Sequence, residues 1–276
     1  FLPVTKVVPK ELIPIINVPM IQYVVEEVIS AGIKELIFVS SEGKEAITNY
    51  FKPNKQLENF LKQKNSWEQH EHYFSLLEKI EVTTILQKEQ LGLGHAVLCA
   101  EKQLAGETFA VLLGDEIMLG TPAVTKQLME IAIARQASVI GVMEIPLEDT
   151  LKYGVIVGKQ DEKDSKLFKM SGMVEKPKPE LAPSRLATPG RYIFTSDIFT
   201  YLKKIKIGAL GEYQLTDAID LMSQEKNVMA YAFTGERFDT GNVTSYLSAV
   251  LEFALRDPKY RKEMISLIQK KLEFYA

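Results

Sequence analysis

This sequence has few of the residues that disulfide-rich, zinc-binding and nucleic-acid-binding proteins need. The single cysteine, Cys99, excludes an internal disulfide and lies in an apolar helical pattern, so we expect it to pack in the core. The three histidines lack the spacing of zinc ligands. A formal net charge of −3 without a dense Lys/Arg stripe argues against a nucleic-acid surface, although a few cations suffice for free nucleotides.

Long apolar runs are also missing. No stretch approaches the roughly 20 residues that a membrane-spanning helix needs, and no signal peptide is visible, so we expect a cytoplasmic protein without a membrane partner. No Gly-x-Gly-x-x-Gly follows a predicted strand, which disfavours a nicotinamide dehydrogenase. With 276 residues, 46% hydrophobic and 25% charged, the composition is typical of an α/β enzyme with a large core.

One predicted strand ends in a carboxylate. Residues 109–113 are all apolar and are followed by Gly114, Asp115 and Glu116. A run that is apolar on both faces indicates a buried parallel strand, and ligands of open α/β sheets bind beyond the carboxyl ends of such strands. Asp115 is therefore placed to hold a cation, unless Gly114 and Asp115 only form a turn.

A glycine-rich loop follows another predicted strand, 83–87. Gly92 and Gly94 lie between that strand and an apolar helical stretch, 96–104. Glycines allow a backbone to approach a planar or anionic ligand, and a helix start offers free N–H groups. Packing explains such a loop equally well, and His95 fits a polar cap or a packed side chain better than a catalyst.

Strands and helices alternate along the chain in the manner of crossover units. Up to residue 145 the pattern predicts helices over 21–31, 96–104 and 121–135, with strands over 36–39, 83–87, 109–113 and 138–145. Beyond it the pattern predicts strands over 155–157, 167–174, 191–195 and 229–233, with helices over 214–225, 244–255 and 259–271. Residues 53–80 give no clear pattern.

The start of the chain suggests that something precedes it. The sequence begins with Phe1 rather than Met and enters a loop punctuated by four prolines. A helix over 21–31 needs a strand from which to cross over, and without one the sheet would keep a vacant slot. We therefore expect that a first strand and its glycine loop are missing from the record.

The motifs of the chain together resemble a known family, the bacterial UTP:glucose-1-phosphate uridylyltransferases among the sugar-phosphate nucleotidyltransferases. The match covers nearly the whole chain, and its motifs, in family order, are Pro3-x-Thr5-x-x-x-Pro9-Lys10-Glu11, Gln87 with Gly92-Leu93-Gly94-His95-Ala96, Gly114-Asp115, Tyr153-Gly154, Val174-Glu175-Lys176-Pro177, Gly190-Arg191-Tyr192, Glu212-x-Gln214-Leu215-Thr216-Asp217-Ala218 and Asp239-x-Gly241. The family's Gly-x-Gly-Thr-Arg loop would precede Phe1, and without it turnover is not expected. Thr240 and Tyr213 depart from common family residues at positions that we expect the chemistry not to need.

The reaction that this resemblance implies needs no protein nucleophile, because the attacking sugar phosphate is mostly dianionic near neutral pH, its second pKa being about 6. The protein must instead supply Mg²⁺, cations and in-line placement. Asp115 and Asp239 are the expected metal ligands, with a helix-capping role as the alternative for Asp239. Lys10 is expected near the leaving pyrophosphate and Lys176 at the sugar phosphate.

The remaining candidates contact the two substrates. Glu175 can accept hydrogen bonds from adjacent sugar hydroxyls, and Gly154 would let the sugar lie against main chain. Gln87 has the donor and acceptor that match the imide edge of uracil, and Gly92 would admit the ring. Arg191 is a candidate sugar ligand, although a strut in an ion pair explains it equally well.

We therefore predict a Rossmann-like, three-layer α/β/α nucleotidyltransferase fold with a mostly parallel central sheet and an inserted sugar-binding part. One domain would comprise a nucleotide-binding half (1–145), a sugar-binding half (146–241) and C-terminal helices (242–276). Its partners would be UTP, glucose 1-phosphate, UDP-glucose, pyrophosphate and Mg²⁺, and the family suggests a homo-oligomer. The alternatives are the same chemistry with dTTP or another sugar, and a non-catalytic nucleotide-sugar-binding regulator.

Overall fold

The computed structural model describes residues 1–104, 106–208 and 211–275, in which groups of helices and groups of strands follow one another. The strands are β1 (Pro14–Ile15), β2 (Val18–Pro19), β3 (Glu35–Ser40), β4 (Glu81–Leu86), β5 (Phe109–Leu112), β6 (Glu116–Leu119), β7 (Ser138–Glu144), β8 (Gly154–Gln160), β9 (Leu167–Glu175), β10 (Leu186–Thr188), β11 (Arg191–Phe194), β12 (Val228–Ala232) and β13 (Glu236–Asp239).

Eleven α-helices lie in the described part of the chain. They are α1 (Met20–Ser30), α2 (Glu45–Tyr50), α3 (Lys55–Gln63), α4 (Glu71–Leu77), α5 (Leu93–Cys99), α6 (Glu101–Leu104), α7 (Val124–Arg135), α8 (Ile198–Leu202), α9 (Leu215–Glu225), α10 (Val243–Arg256) and α11 (Pro258–Tyr275). Residues 53–80, which gave no clear pattern, contain α3 and α4 joined by a helical turn at Trp67–Gln69. Within the described ranges, no helix has both the length and the apolar character needed to cross a membrane.

Seven strands form the central sheet in the order β10-β8-β9-β12-β7-β11-β5, and a further pairing of β10 with β7 closes five of them into a ring. Of these pairings only β12 with β7 is parallel. The predicted α/β class is confirmed, but the sheet is mixed rather than mostly parallel. The reason is that several strands beyond residue 145 are joined by connections too short for a parallel crossover.

Three smaller pairings complete the strand arrangement. Strands β3 and β4 are parallel, as expected for a crossover unit, whereas β1 with β2 and β6 with β13 are antiparallel. The β6–β13 ribbon was not predicted, and it carries much of the candidate site. Each of its strands has only four residues, so the sequence offers almost no repeat from which to recognise it.

The largest buried cluster contains side chains from both sides of residue 145. Val97 and Ile140 pack in it together with Leu215 and Ile219 of α9. A second cluster lies around α1, where Val25 and Val28 pack with Phe51 and Leu76. The main core therefore draws its buried side chains from both predicted halves.

Candidate active site

The β6–β13 ribbon brings together two carboxylates that are far apart in the sequence. Asp115 immediately precedes β6, Asp239 ends β13, and Asp239 lies opposite Glu116 in the antiparallel register. The buried hydroxyl of Thr240 donates to the main-chain oxygen of Asp115 at 2.6 Å, and the Thr240 N–H points to the same oxygen at 3.3 Å. Thr240 therefore joins the Asp239 turn to the Asp115 turn, so it contacts the site that we expected it not to affect.

The carboxylates of Asp115 and Asp239 face one space beside Gly241. A Cβ atom built on Gly241 would lie 3.1 Å from Asp239 Oδ1 and 3.9 Å from Asp115 Oδ2. Any larger residue would place a side chain between the two acids. The glycine N–H also donates to Asp239 Oδ1 at 2.7 Å, which fixes this carboxylate in its turn.

The donor set of this space fits Mg²⁺. No group of three or more His, Cys, Asp or Glu side chains arranged for a metal occurs in the described part of the chain. Mg²⁺ is usually bound by one or two carboxylates, and its other positions are filled by water and substrate phosphates. Two convergent aspartates with open space beside Gly241 meet that requirement.

Lys10 adds a cation to the same place. Its Nζ lies 2.6 Å from Asp115 Oδ2, and the neighbouring Glu11 accepts from Lys44 Nζ at 2.7 Å. Burial alone would lower the pKa of Lys10, but the charge and hydrogen bond of Asp115 outweigh it and hold that pKa above its usual value. Lys10 is therefore charged at neutral pH.

Arg237 lies beside the aspartates and connects them to the predicted sugar residues. Its guanidinium binds both carboxylate oxygens of Glu116, with Nε to Oε2 at 2.7 Å and Nη2 to Oε1 at 2.6 Å. Its Nη1 donates to the Tyr153 hydroxyl at 2.8 Å, and the guanidinium carbon lies 5.0 Å from the Tyr153 ring centroid. Arg237 also approaches Asp239 Oδ2 at 3.8 Å.

The predicted sugar residues adjoin Tyr153. Gly154 lies opposite Glu175 in the β8–β9 pairing. A Cβ on Gly154 would lie 2.6 Å from Met173 Cε, 2.7 Å from Thr216 Cγ2 and 3.3 Å from Glu175 Oε2, so packing alone requires a glycine here. Lys176 Nζ is 3.4 Å from Glu175 Oε1, and its N–H donates to the Tyr153 carbonyl at 3.0 Å. Lys176 has a φ of 45°, a left-handed conformation that a non-glycine residue keeps only where its surroundings fix it.

Arg191 is buried, which corrects its assignment as a candidate sugar ligand. Its side chain is 1% exposed and forms an ion pair with Glu27, with Nη2 to Oε2 at 2.9 Å. It also donates to the main-chain oxygens of Leu113 and Glu116, at 3.3 and 2.6 Å. Arg191 is therefore a buried strut that holds the turn containing Asp115.

Gln87 and Gly92 form a local structure at the start of α5. Gln87 Nε2 donates to the Gly92 carbonyl at 3.1 Å and lies 3.0 Å from His95 Nδ1. A Cβ on Gly92 would lie only 2.8 Å from the Cβ of Glu212. Packing against Glu212 is therefore one reason for a glycine at this position. The expected opening for the uracil ring stays a prediction. Among the described hydrogen bonds, none joins these residues to the aspartate pair.

The sequence assigned no role to Glu27, Glu116 and Arg237, and Tyr153 appeared only as part of a family motif. Glu27 carried a readable signal, because it lies within the apolar stripe of α1 between Val24 and Val28. A charge on a buried helix face needs a buried partner. Arg237 gave no comparable signal, since alternation over four residues does not reveal which strand lies beside it.

Two convergent carboxylates beside a lysine in a mixed α/β fold are typical of proteins that bind phosphate-bearing ligands together with a divalent metal ion. The nucleotidyl transferase family model matches residues 1–255. The UTP–glucose-1-phosphate uridylyltransferase of Staphylococcus haemolyticus is 43% identical over 98% of this chain and 93% of its own length.

Solved structures agree with this match. UDP-glucose pyrophosphorylase complexed with UDP-glucose superposes with a TM-score of 0.86 at 36% identity, covering 93% of this chain and 94% of that one. UTP-bound UGPase from Acinetobacter baumannii superposes with a TM-score of 0.87 at 35% identity, covering 98% and 94%. This chain belongs to the nucleotidyl transferase family, among the UTP–glucose-1-phosphate uridylyltransferases.

Proposed function

We propose that this protein transfers the uridylyl group of UTP to glucose 1-phosphate, giving UDP-glucose and pyrophosphate. The observation that carries the proposal is the convergence of Asp115 and Asp239 on one space beside Gly241, next to the Lys10 ammonium. Support also comes from relatives named for this reaction and from a related structure complexed with UDP-glucose.

In this reaction an oxygen of the sugar phosphate attacks the α-phosphorus of UTP, and the bond from that phosphorus to the pyrophosphate oxygen breaks. No proton has to move, because the attacking phosphate is largely dianionic at neutral pH. The main obstacle is repulsion between anions, which placed cations relieve. Asp115 and Asp239 would hold Mg²⁺, which would neutralise charge on the phosphate oxygens.

The two lysines would balance the remaining negative charge of the phosphates. Lys10 would contact the leaving pyrophosphate, since its ammonium already lies against Asp115. Lys176 would bind the phosphate of glucose 1-phosphate, and its left-handed backbone is held by the Tyr153 carbonyl. Placing both substrates in line would supply much of the acceleration.

Sugar and base would be recognised by neutral contacts and one acid. Glu175 would accept hydrogen bonds from adjacent glucose hydroxyls. Gly154 lies opposite it in the β8–β9 pairing, with Met173 and Thr216 filling the place of its side chain. Gln87 would pair with the imide edge of uracil. Gly92 would contribute its backbone at the start of α5, while Glu212 fills the place of a side chain.

The proposal also covers the oligomeric state and the cellular location of the enzyme. We expect a homo-oligomer in the cytoplasm, as the family resemblance suggests. Light scattering of the purified protein tests the oligomer: a mass above that of one chain supports it, and a monomer at micromolar concentration contradicts it.

Pyrophosphate release from UTP and glucose 1-phosphate under Mg²⁺, measured on the intact protein, tests the reaction. We expect release with the wild type and its loss in Asp239→Asn. The matched control is Asp197→Asn, which makes the same chemical change at an exposed acid paired with Lys226. No release by the intact wild type would contradict the proposal. Competition between UTP and dTTP decides the nucleotide, with UTP expected to be preferred.

A further inference from the structure

Three carboxylates lie close together on the β6–β13 ribbon, but only two of them face the space beside Gly241. Asp239 lies opposite Glu116 in the register, and Asp115 directly precedes Glu116. Glu116 is therefore the acid next to the two aspartates, although in the described part of the chain no three acids are arranged to hold a metal together. In the structure it is turned into the pair with Arg237 instead.

Arg237 binds both carboxylate oxygens of Glu116. Two of its nitrogens take one carboxylate oxygen each, at 2.6 and 2.7 Å, in the bidentate geometry that a guanidinium favours. The two side chains are 14% and 12% exposed, so water competes little for either. A third nitrogen donates to the Tyr153 hydroxyl at 2.8 Å, which keeps the guanidinium from turning away.

We propose that Arg237 is a positioning residue that keeps Glu116 out of the metal site. The proposal rests on the metal site proposed above for Asp115 and Asp239. A third carboxylate would occupy a coordination position that a substrate phosphate needs, and it would add negative charge where two anionic substrates must meet. Arg237 thus preserves a site of two carboxylates with open positions.

The inference predicts an unusual result: removing a cation near the site should make metal binding tighter through Glu116. Freed by Arg237→Gln, Glu116 would join the two aspartates, and affinity for Mn²⁺ should rise on the order of tenfold, because affinity follows ligand charge and number. The double variant Glu116→Gln/Arg237→Gln should return to wild-type affinity. A merely structural role of Arg237 would lower affinity in both variants.

Binding of Mn²⁺ alone to the intact protein, measured by electron paramagnetic resonance titration of the free ion, gives the required comparison without turnover. Arg135→Gln is the matched control, because it removes the same charge from an arginine that pairs with Asp161 at 3.5 Å at the end of α7. We expect its Mn²⁺ affinity to equal that of the wild type. A comparable gain in this control would overturn the inference, since net charge alone would then explain it.

Three further variants separate this inference from the metal site on which it rests. Arg237→Lys retains the charge, but its single ammonium cannot bind both oxygens of Glu116 as the guanidinium does, so this variant should bind Mn²⁺ somewhat more tightly than the wild type. Adding Glu116→Gln to it should cancel the gain. Asp239→Asn tests the metal site itself. If it loses Mn²⁺ while Arg237→Gln and Arg237→Lys match the wild type, the present inference fails alone. If it binds as the wild type does, the proposed metal site fails, and this inference with it.

Discussion

Glu27 and Arg191 form a buried ion pair that joins helix α1 to the turn carrying Asp115. Glu27 Oε2 and Arg191 Nη2 are 2.9 Å apart. The other Glu27 oxygen accepts from the Thr125 N–H at 3.0 Å and from the Thr125 hydroxyl at 2.6 Å. Arg191 in turn donates to the carbonyls of Leu113 and Glu116. The core and the candidate site are thus connected through two charged side chains.

Removing one partner of this pair should be strongly destabilising. Arg191→Ala leaves Glu27 charged and buried, so we expect a loss of about 3–5 kcal/mol in the free energy of unfolding, measured with urea. The surface pair Lys203–Glu101 provides the control, and Lys203→Ala should lose about 1 kcal/mol or less. A loss of that small size in Arg191→Ala would contradict the assigned role.

A pair of glycine substitutions separates backbone strain from crowding. Gly92 and Gly43 have similar positive φ values, 91° and 84°, but an added Cβ meets Glu212 at 2.8 Å only at Gly92. Gly43→Ala should lose about 1 kcal/mol of stability through strain alone. Gly92→Ala should lose more, because Glu212 must also move. Equal losses in urea unfolding would show that Glu212 does not pack on this glycine.

Thr240→Val tests the link between the two aspartate turns. Valine keeps the shape but loses the hydroxyl that donates to the Asp115 carbonyl at 2.6 Å, which should lower stability by about 1 kcal/mol and weaken Mn²⁺ binding. Thr240→Ser, which keeps the hydroxyl, should retain most of that affinity. Unchanged Mn²⁺ affinity in Thr240→Val would show that the link does not position Asp115.

Alkaline pH should reveal the buried phenol of Tyr192. Burial raises the pKa of Tyr192 to about 12 from 10.0, so the folded protein keeps a proton that the unfolded chain releases. Stability therefore falls as pH rises from 10 to 12, and Tyr192 accounts for about 2–3 kcal/mol of that fall. Tyr192→Phe should lose this part of the slope in urea unfolding at several pH values. If the free energies of unfolding of the two proteins fell equally with pH, Tyr192 would not be the cause.

Elements with long, regular patterns were predictable from the sequence. Helix α1 was expected over 21–31 and lies at Met20–Ser30, and strand β7 was expected over 138–145 and lies at Ser138–Glu144. Their apolar spacing repeats often enough to define the period. The motif order likewise indicated the family, because each motif is a local string of residues.

Features that depend on tertiary contacts were not predictable. From the sequence, Arg191 could equally be a sugar ligand or a strut in an ion pair, because only the fold places Glu27 beside it. The packing of Gly92 was missed for the same reason, since Glu212 packs on it from 120 positions along the chain. Glu116 and Arg237 became meaningful only once β6 and β13 were seen to pair.

Anomalous diffraction from crystals grown with Mn²⁺ and UDP-glucose tests the central claim most directly. We expect one manganese peak about 2.1 Å from a carboxylate oxygen of Asp115 and from one of Asp239. Glu116 should remain bound to Arg237 in the same crystal. A manganese ion that contacts neither aspartate, or separate ions on the two, would contradict the account.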